Sequence, residues 1–463
     1  MKPSYELLII GAGPAGMSAA CEAARNGVAV CVIDDQPEPG GQIYRNASRA
    51  TDKQNQVLGK DYQQGKNLVD DFKSYGGEYY ANASVWHVDA NNQVGVIKAG
   101  KNYFISAKNL VIASGAQERA MPIPGWQLPG VMYAGAGQIL FKGSGIVPTG
   151  ELVLAGTGPL LLLLASQYLH AGVKIKAILD TTPKGRIVKS LDKLFSGVQG
   201  YEYLIKGASL LRHIKAAKVP YYKHVEGLCA VGVERVEKVS FASATKAGRK
   251  VANISLDVDT LLLHQGIIPN TRLARAAQCE TTWDAQQSCW IVATNEYGLC
   301  RQNTYVVGDA ARVMGAVASR IQGRLCGLHV AQSLTKVDSH NWQVWHKDLL
   351  KKLRKENAIR PFLDAVYQPA DAYLIPQQDD VIVCRCEEVT LSDIQDAVRL
   401  GCQGPNQVKS YTRCGMGPCQ GTQCSNTLSH IVAKQSNMPM AQVGELRVRS
   451  PLSPITLGQI ADL

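Results

Sequence analysis

The sequence contains no uninterrupted apolar run of the length that a membrane-spanning helix needs. Residues 152–169 carry no formal charge, but a break at 156–159 follows only four strand-like residues, which favours a strand, a turn and a helix. The amino terminus passes from MKPSYE directly into the strand LLII, which leaves no room for a secretory signal peptide. We therefore predict a cytoplasmic protein, with peripheral attachment to the inner membrane as the alternative.

No nucleic-acid-binding motif accompanies the net charge of +11. The basic residues are spread along the chain except in KDLLKKLRKENAIR, residues 347–360, where lysines alternate with leucines at helical spacing. That pattern predicts a solvated amphipathic helix, so nucleic acid is not an expected partner.

Two kinds of reactive centre are also missing. The amino-terminal two thirds of the sequence hold no C-x-x-C pair, which disfavours disulfide reduction. No Ser/His/Asp or paired-carboxylate cluster stands out, and His264, in LLLHQGIIPN, is a lone histidine that we expect to be packed rather than catalytic. The 13 cysteines, in the absence of a signal peptide, predict reduced thiols and metal ligation.

A complete nucleotide fingerprint stands at the start of the chain. A strand at 5–10 leads into GAGPAG, a small-residue helix and a second strand that ends on Asp34. Gly11 permits the tight turn, Gly13 lets the backbone approach a pyrophosphate, and Gly16 allows close helix–strand packing. Asp34, 23 residues after Gly11, is placed to accept hydrogen bonds from ribose hydroxyls. The sequence predicts a bound dinucleotide at the helix N-terminus.

Three further segments resemble the two-dinucleotide-domain flavoprotein family that includes glutathione and thioredoxin reductases. They are PEPGGQIYR after Asp34, NLVIASGAQER at 109–119 and TYVVGDAA at 304–311. The resemblance implies bound FAD and a ribityl contact from Asp309. The cofactor-binding residues that it implies, together with those of the fingerprint, are Gly11, Gly13, Pro14, Ala15, Gly16, Asp34, Gly41, Gln42, Val85, Ala113, Ser114, Gly115, Gly308 and Asp309.

A second strand–turn–helix unit departs from the fingerprint. ELVLAGTGPLLLLLASQYLHAG keeps Gly156 and Gly158 but has Leu161 at the third glycine position, and the following strand ends on Asp180. A leucine there would crowd the helix against the strand and alter the phosphate pocket. Three interpretations stay open: a surviving NAD(P) site, a site for another nucleotide such as ATP, or a purely structural domain.

A cysteine-rich segment follows an amphipathic helical stretch and a proline-containing break near residue 375. It reads VCRCEEV and, after about thirty residues, TRCGMGPCQGTQC. Thiolates on short Gly-rich loops suit a structural zinc or an iron–sulfur cluster. The spacing, with 32 residues between Cys386 and Cys419, resembles the bacterioferritin-associated-ferredoxin type of 2Fe–2S domain. That resemblance implies Cys384, Cys386, Cys419 and Cys424 as ligands and leaves Cys414 and Cys402 outside, with zinc as the alternative metal.

Together these features predict an α/β chain with a glutathione-reductase-like architecture and a small C-terminal 2Fe–2S domain. The predicted division is a first FAD-binding part at 1–148, a second Rossmann-like domain at 149–270, the closing FAD-binding part at 271–335, a helical linker at 336–378 and the cysteine domain with its tail at 379–463.

Nearly the whole chain resembles the larger flavin/iron–sulfur subunit of bacterial heteromeric amine dehydrogenases, which include opine oxidases, D-hydroxyproline dehydrogenase and hydrogen cyanide synthase. The resemblance implies an electron-transfer subunit of an enzyme that oxidises a secondary-amine amino acid. It implies a second FAD-containing subunit of the D-amino-acid-oxidase type, and in some members a small ferredoxin-like chain or an FMN at the subunit interface. The rival interpretations are a self-sufficient NAD(P)H-dependent reductase and an assembly or regulatory subunit whose nucleotide sites are structural.

Overall fold

The computed structural model describes residues 1–74, 76–193, 200–243 and 254–461. The chain opens on an apolar strand and a helix with Pro14 in its first turn, where the missing N–H would have no helical partner. The elements of residues 1–148 are β1 (Ser4–Ile10), α1 (Pro14–Arg25), β2 (Val30–Ile33), α2 (Asp52–Leu58), α3 (Lys60–Ser74), β3 (Glu78–Tyr80), β4 (Ala83–Val88), β5 (Gln93–Lys98), β6 (Lys101–Ile112), β7 (Ala116–Glu118), β8 (Val131–Tyr133) and α4 (Ala134–Ser144).

The next segment repeats the sequence of strand, glycine turn and helix. Its strand β9 is wholly buried, as its run of apolar residues predicts for a strand inside a parallel sheet. The elements of residues 149–270 are β9 (Leu152–Thr157), α5 (Pro159–His170), β10 (Ile175–Asp180), α6 (Arg186–Lys189), α7 (Tyr201–Ala216), β11 (Tyr221–Lys223), β12 (Glu226–Val231), β13 (Lys238–Ala242), β14 (Ile254–Asp257), β15 (Thr260–Gln265) and β16 (Ile267–Pro269).

Residues 271–335 return to the first sheet and end in a long helix. A single 3-10 turn, Gly308–Ala310, stands between the last strand of the first sheet and its following helix. The elements of residues 271–335 are α8 (Arg272–Ala276), β17 (Thr281–Asp284), β18 (Cys289–Val292), β19 (Leu299–Arg301), β20 (Thr304–Val306) and α9 (Ala316–Ser333).

The remaining residues form a long helix, two short helices and a compact cysteine-containing unit. The elements after 335 are α10 (Ser339–Asn357), α11 (Arg360–Val366), α12 (Asp371–Leu374), β21 (Ile382–Cys384), β22 (Val389–Thr390), α13 (Leu391–Arg399), α14 (Pro405–Thr412), α15 (Ser425–Ser436), α16 (Met440–Val443) and α17 (Leu457–Ala461). Helix α13 begins with a reciprocal capping box that Thr390 and Asp393 form.

Two sheets whose central strands are parallel organise the molecule. In the first, the strand order is β19-β20-β6-β1-β2-β3, and the β4–β5 hairpin is attached to β6. In the second, the order is β11-β10-β9-β15-β8, with an antiparallel β12-β13-β14 meander beside it. Both sheets therefore present the carboxyl ends of their central strands to Gly-rich turns, which is where nucleotides bind in such folds.

The predicted two-nucleotide-fold architecture is confirmed, whereas the predicted domain limits stay a prediction. β8 lies ahead of the predicted limit at 148 and pairs with β15 in the second sheet, with Leu262 opposite Met132. The antiparallel pair β7–β16 joins the two sheets. Two strand pairs, β8–β15 and β7–β16, therefore connect the predicted domains. Each pair carries residues that line the cleft described below.

Two findings bear on compartment and cysteine chemistry. Among the described residues, no helix is both long and apolar enough to cross a membrane. Cys279 and Cys300, which we predicted to be reduced, are joined as a disulfide. The turn after α8 and strand β19 bring their Cα atoms to 5.7 Å, a separation that suits such a bond, and sequence spacing gave no sign of this approach.

Candidate flavin cleft and cysteine cage

The first glycine turn is built so that a ligand can touch its backbone. Gly11 has φ +106°, and a Cβ there would overlap the carbonyl oxygen of Ala113. A Cβ at Gly16 would overlap the Gly11 carbonyl oxygen. Gly13 differs, because the nearest atom to its missing Cβ is the Gly41 Cα at 3.9 Å. Two glycines are therefore required by the protein's own packing, and the space before Gly13 is open to a pyrophosphate.

Two helices point their N-termini into the same cleft. α1 and α9 cross closely, since a Cβ at Gly323 would overlap the backbone of Ala15 and one at Gly327 the backbone of Ala19. The residues that precede them, Gly13 and Gly315, provide no side-chain cap. Free N–H groups and the positive ends of two helix dipoles thus meet where an anionic group would lie.

Asp34 lies at the carboxyl end of β2, as predicted, with both carboxylate oxygens engaged. Oδ2 accepts from the Ala12 N–H, and Oδ1 accepts from the Gln36 N–H at 2.7 Å. Burial raises the pKa of Asp34 to about 6, against the lowering effect of these two hydrogen bonds. The carboxylate is held rigidly at the cleft, where remaining lone pairs can accept from ribose hydroxyls.

Asp309 is oriented by the loop that leads into α9. Its Oδ1 accepts from the backbone N–H groups of Met314 at 2.8 Å and Gly315 at 2.9 Å. In the part of the chain that the structure describes, Oδ2 has no hydrogen-bond partner. This arrangement fits the predicted contact with a ribityl hydroxyl.

The predicted cofactor residues converge on one cleft with a volume of about 890 Å³. That volume lies in the range of sites for large organic ligands. Gly16 and Gly308 stand behind the lining and allow close backbone packing. The other predicted residues line the cleft directly: Gly11, Gly13, Pro14, Ala15, Asp34, Gly41, Gln42, Val85, Ala113, Ser114, Gly115 and Asp309.

The second glycine turn is filled by a side chain of the protein. Gly156 has φ +143°, and a Cβ there would overlap the His264 carbonyl oxygen. A Cβ at Gly158 would lie 3.2 Å from Nε2 of His264, whose ring occupies the space beneath the turn. Leu161, only 2% exposed, packs in the core that the two sheets share. The predicted departure from the fingerprint at Leu161 therefore coincides with a turn that the His264 ring fills from beneath.

His264 is buried, as predicted, but it has a carboxylate partner that the sequence did not identify. Its Nδ1 lies 2.7 Å from Oε1 of Glu118, whose Oε2 accepts from the Gly135 N–H at 2.8 Å. The two partners are 146 residues apart in sequence, so no local signal could have paired them. Both side chains line the same cleft as the Gly11 turn.

The acid at the end of the second fold's strand is engaged elsewhere. Oδ1 of Asp180 accepts from the Thr182 N–H, and Oδ2 accepts from the Tyr221 hydroxyl, both at 2.9 Å. These bonds join β10 to the neighbouring loop and to β11. Asp180 has the position of a ribose-binding acid but serves the packing of its own sheet.

The carboxyl-terminal cysteines form a compact group. The Sγ atoms of Cys384, Cys414 and Cys424 all lie within 4.8 Å of one another, and all three residues are buried. Hydrogen bonds from the other two thiols lower the pKa of Cys384 to about 2, which favours its thiolate form. Burial raises the pKa of the Cys386 thiol, and Cys419 is its neighbour. This donor set is of the kind that binds zinc or iron–sulfur clusters.

The group differs from the predicted ligand set in one respect. Cys384 and Cys424 were predicted, whereas Cys414, which we placed outside, is the third member, and Cys386 and Cys419 form the separate pair. The αL conformation of Arg413 and Gly415 turns the chain back after α14, so the Cys414 thiol points inward. The ligand assignment stays a prediction, and Cys402 lies outside this group of three.

The cysteine loop forms part of the wall of the cleft. Nε2 of Gln117 donates to the Thr422 carbonyl oxygen at 2.7 Å, and the guanidinium of Arg272 donates to the Thr422 hydroxyl at 2.8 Å. Thr422 lies between Cys419 and Cys424, and it lines the cleft together with Gln423. These contacts join residues 150 or more positions apart, which is why the sequence did not indicate them.

Comparison with known proteins agrees with this geometry. Residues 5–332 match the pyridine nucleotide-disulphide oxidoreductase family, and residues 379–463 match the sarcosine oxidase A3 domain. The first family implies FAD, and the open Gly13 turn with its two helix N-termini fits that cofactor.

Relatives match over nearly the whole chain. An opine oxidase subunit of Agrobacterium tumefaciens (strain Ach5) is 40% identical over 99% of this chain and 92% of its own length. The hydrogen cyanide synthase subunit HcnB of Pseudomonas aeruginosa is 28% identical, covering 98% of each chain. L-proline dehydrogenase from P. horikoshii, 18% identical, superposes with a TM-score of 0.70 over 99% of this chain and 79% of its own, which shows a shared fold. The chain therefore belongs to the pyridine nucleotide-disulphide oxidoreductase family and, within it, to the family of these opine oxidase subunits.

Proposed function

We propose that this chain is the FAD- and 2Fe–2S-containing electron-transfer subunit of a heteromeric enzyme that oxidises an opine, hydroxyproline or a similar secondary-amine amino acid. The observation that carries the proposal is the shared wall: the Cys419–Cys424 loop lines the same cleft as the Gly13 turn. A redox cofactor and a thiolate-bound metal centre would then be neighbours, which electron exchange requires.

The names of the relatives support the reaction class. The opine oxidase and hydrogen cyanide synthase relatives are both named as subunits, which implies further chains in those enzymes. We propose a second FAD-containing subunit of the D-amino-acid-oxidase type as the site of amine oxidation. A small ferredoxin-like chain and an FMN between subunits are further components of the proposal.

The chain's own residues hold and orient the cofactors. The helix N-termini at Gly13 and Gly315 neutralise the pyrophosphate, Asp34 accepts from the ribose, and Asp309 accepts from the ribityl chain. When bound, FAD supplies two-electron and one-electron redox chemistry and the iron–sulfur centre supplies one-electron chemistry. Gln117 and Arg272, through Thr422, fix the cysteine loop against the cleft.

For the metal centre we propose the set Cys384, Cys386, Cys419 and Cys424, with Cys414 as the competing donor. Iron and acid-labile sulfide should each approach two per chain in anaerobically purified protein, with an EPR signal after reduction. Single serine variants at all five cysteines would identify the ligands, because only a ligand change alters that signal. Zinc in place of iron would contradict the proposal.

A reductase that takes electrons from NAD(P)H is the second candidate, and the surviving Gly156 and Gly158 are the observation in its favour. The ring of His264 beneath Gly158 argues against it, since a dinucleotide phosphate would need that approach. Mixing the protein with NADH without oxygen separates the candidates: rapid bleaching of the flavin absorbance supports the reductase. ATP in this second domain is an open alternative that equilibrium dialysis would test.

The test of the main proposal is co-expression with the products of neighbouring genes. We expect a stable complex that reduces a dye or a quinone with an opine, a cyclic imino acid or glycine as donor, while the isolated chain has almost no activity. We expect this because the sequence shows no Ser/His/Asp or paired-carboxylate cluster, and a flavin alone does not position a substrate. A single chain that turns over an amine unaided would refute the relay role.

A further inference from the structure

An exposed apolar surface covers α6, α7 and the turn that follows α6. Val188 is 70% exposed, Ile205 is 62% exposed and Ile187 is 57% exposed. We define the α6–α7 surface by six large apolar side chains that solvent reaches: Ile187, Val188, Leu191, Tyr201, Ile205 and Leu211. Single exposed apolar residues are common on protein surfaces, but five on α6 and α7 and a sixth in the turn after α6 call for a partner.

The spacing on α7 makes this surface a coherent stripe. At 100° per residue, Tyr201, Ile205 and Leu211 lie within about 120° of one another around the helix axis. The opposite side carries Leu210 and Ile214, which pack on the main core. A surface helix that packs on one side normally presents polar residues on the other, whereas α7 exposes Tyr201, Ile205 and Leu211 among its polar residues.

Helix α6 contacts the wall of the cleft. The guanidinium of Arg186, on α6, donates to Oε1 of Gln368 at 2.8 Å. Gln368 and Tyr367 follow α11, and both line the cleft that holds the Gly13 turn. A molecule seated on α6 and α7 would therefore lie next to residues that form the wall of the cofactor cleft.

The charge of this region restricts the occupant. Residues 184–218 contain eight lysines and arginines and two acidic residues. Two copies of this surface facing each other would bring like charges together, which costs affinity. An apolar centre with a basic rim is complementary to an apolar patch with an acidic rim. A membrane surface fits less well, because Glu202 stands between exposed Tyr201 and Tyr203 and would face the headgroups of an anionic bilayer.

We propose that the α6–α7 surface docks a second polypeptide, the amine-oxidising flavoprotein subunit, through an apolar patch with an acidic rim. The inference rests on the proposed function and adds to it the place at which the partner binds. The docked chain would cover the apolar stripe and bring its own redox centre close to the wall of the cleft.

The test compares three forms of the full-length chain, each co-expressed with the flavoprotein encoded beside it: wild type, a V188D/I205D double variant and V233D. Val233 is 86% exposed and lies outside α6 and α7, so it is the matched control. Equal FAD content and equal thermal midpoints would show that all three forms are folded. Complex formation is measured by size exclusion with light scattering and by titration calorimetry.

We expect the double variant to weaken the complex by at least about 100-fold, because two carboxylates would enter a desolvated apolar contact. We expect V233D to bind like the wild type.

Binding of the double variant within about threefold of the wild type overturns the docking surface and leaves the proposed function intact. A dimer of the isolated wild type that V188D/I205D dissolves would identify a second copy as the occupant and overturn the proposal. The proposal would also be overturned if the double variant no longer sedimented with phosphatidylglycerol vesicles but still formed its complex with the flavoprotein. Absence of any wild-type complex, together with amine turnover by the single chain, would refute the proposed function itself.

Discussion

The turns at 11–16 and 156–161 begin with the same G-x-G pattern, yet only the first leaves its middle glycine open. The missing Cβ of Gly13 has no neighbour closer than 3.9 Å, whereas that of Gly158 would lie 3.2 Å from the His264 ring. At the third position Gly16 permits the helix to approach the turn, and Leu161 replaces that approach with a packed side chain. The local pattern sets the shape of the turn, and what lies beneath the turn decides whether a phosphate can reach it.

The acids that follow the two turns differ in the same way. Asp34 is held by two backbone N–H groups at the edge of the cleft, and Asp180 is held by a neighbouring loop and a tyrosine of the next strand. Asp34 remains available to a ligand, whereas Asp180 stabilises the packing of its own sheet. An acid at the end of the second strand is therefore insufficient to indicate a nucleotide site.

The strongest test of this comparison is Gly13→Asp. The side chain would fit the folded protein but would place a carboxylate where the pyrophosphate must lie, so we expect FAD content below about a tenth of the wild-type value. Flavin absorbance per chain measures it, and circular dichroism checks the fold. Gly158→Ala is the counterpart in the second turn: its φ of +121° predicts a loss of about 1–3 kcal/mol in stability with full FAD content. Full FAD in Gly13→Asp would contradict the site.

The next largest effect is expected for Leu161→Ala. Leu161 is a core residue, and truncating a buried leucine costs about 2–5 kcal/mol in the free energy of unfolding. Denaturant unfolding measures this loss, with the partly exposed Leu160 as the control site. If the turn were a working nucleotide site that the leucine merely narrows, the variant would instead gain NADH binding, which fluorescence titration would detect.

Asp309→Asn should weaken FAD binding with little effect on folding. The amide oxygen can still accept from Met314 and Gly315, but an N–H₂ group replaces the free acceptor Oδ2. Loss of a hydrogen bond to a charged group is worth about 1.5–3 kcal/mol, or roughly 10-fold to 150-fold in the dissociation constant of FAD. Asp180→Asn, at the other turn, should leave FAD affinity unchanged. Equal weakening by both variants would show that the two acids do not differ in role.

The smallest effect is a pH dependence that Asp34 confers. In the free chain burial raises its pKa to about 6, and ribose hydroxyls that donate to the ionised carboxylate lower that pKa on binding. Binding then releases a proton at pH values below about 6, so FAD affinity falls as pH falls, by at most about tenfold per unit. Isothermal titration in two buffers measures the proton, and Asp34→Asn should abolish the dependence.

The sign is opposite for the stability of the FAD-free chain. The folded pKa lies above the unfolded value of 3.8, so ionisation of Asp34 is less favourable in the folded chain. Its contribution to stability therefore decreases as pH rises from about 4 to about 6. A rise of stability over that range which Asp34→Asn removes would contradict the assigned burial effect.

Sequence reasoning was most successful where the determining contacts are local. The fingerprint at 11–16 and its acid at 34 are both decided within a few tens of residues, because turn geometry and helix entry depend on neighbouring backbone atoms. The presence of a thiol-rich group followed in the same way from short cysteine spacings. The structure has the glycine turn at 11–16 and a group of thiols at the carboxyl-terminal end, although the members of that group differ from the predicted set.

Tertiary structure alone decided which distant groups meet. The His264 ring lies under Gly158 because β15 pairs with β9, and Glu118 reaches His264 across 146 residues. Cys414 joins Cys384 because the turn after α14 folds back, and Thr422 reaches the cleft because Gln117 and Arg272 fix it there. By itself the sequence determined two nucleotide folds, one intact fingerprint and a cysteine-rich end. The neighbourhood of each site depends on how separately formed sheets and loops pack, and such contacts leave no local pattern in the chain.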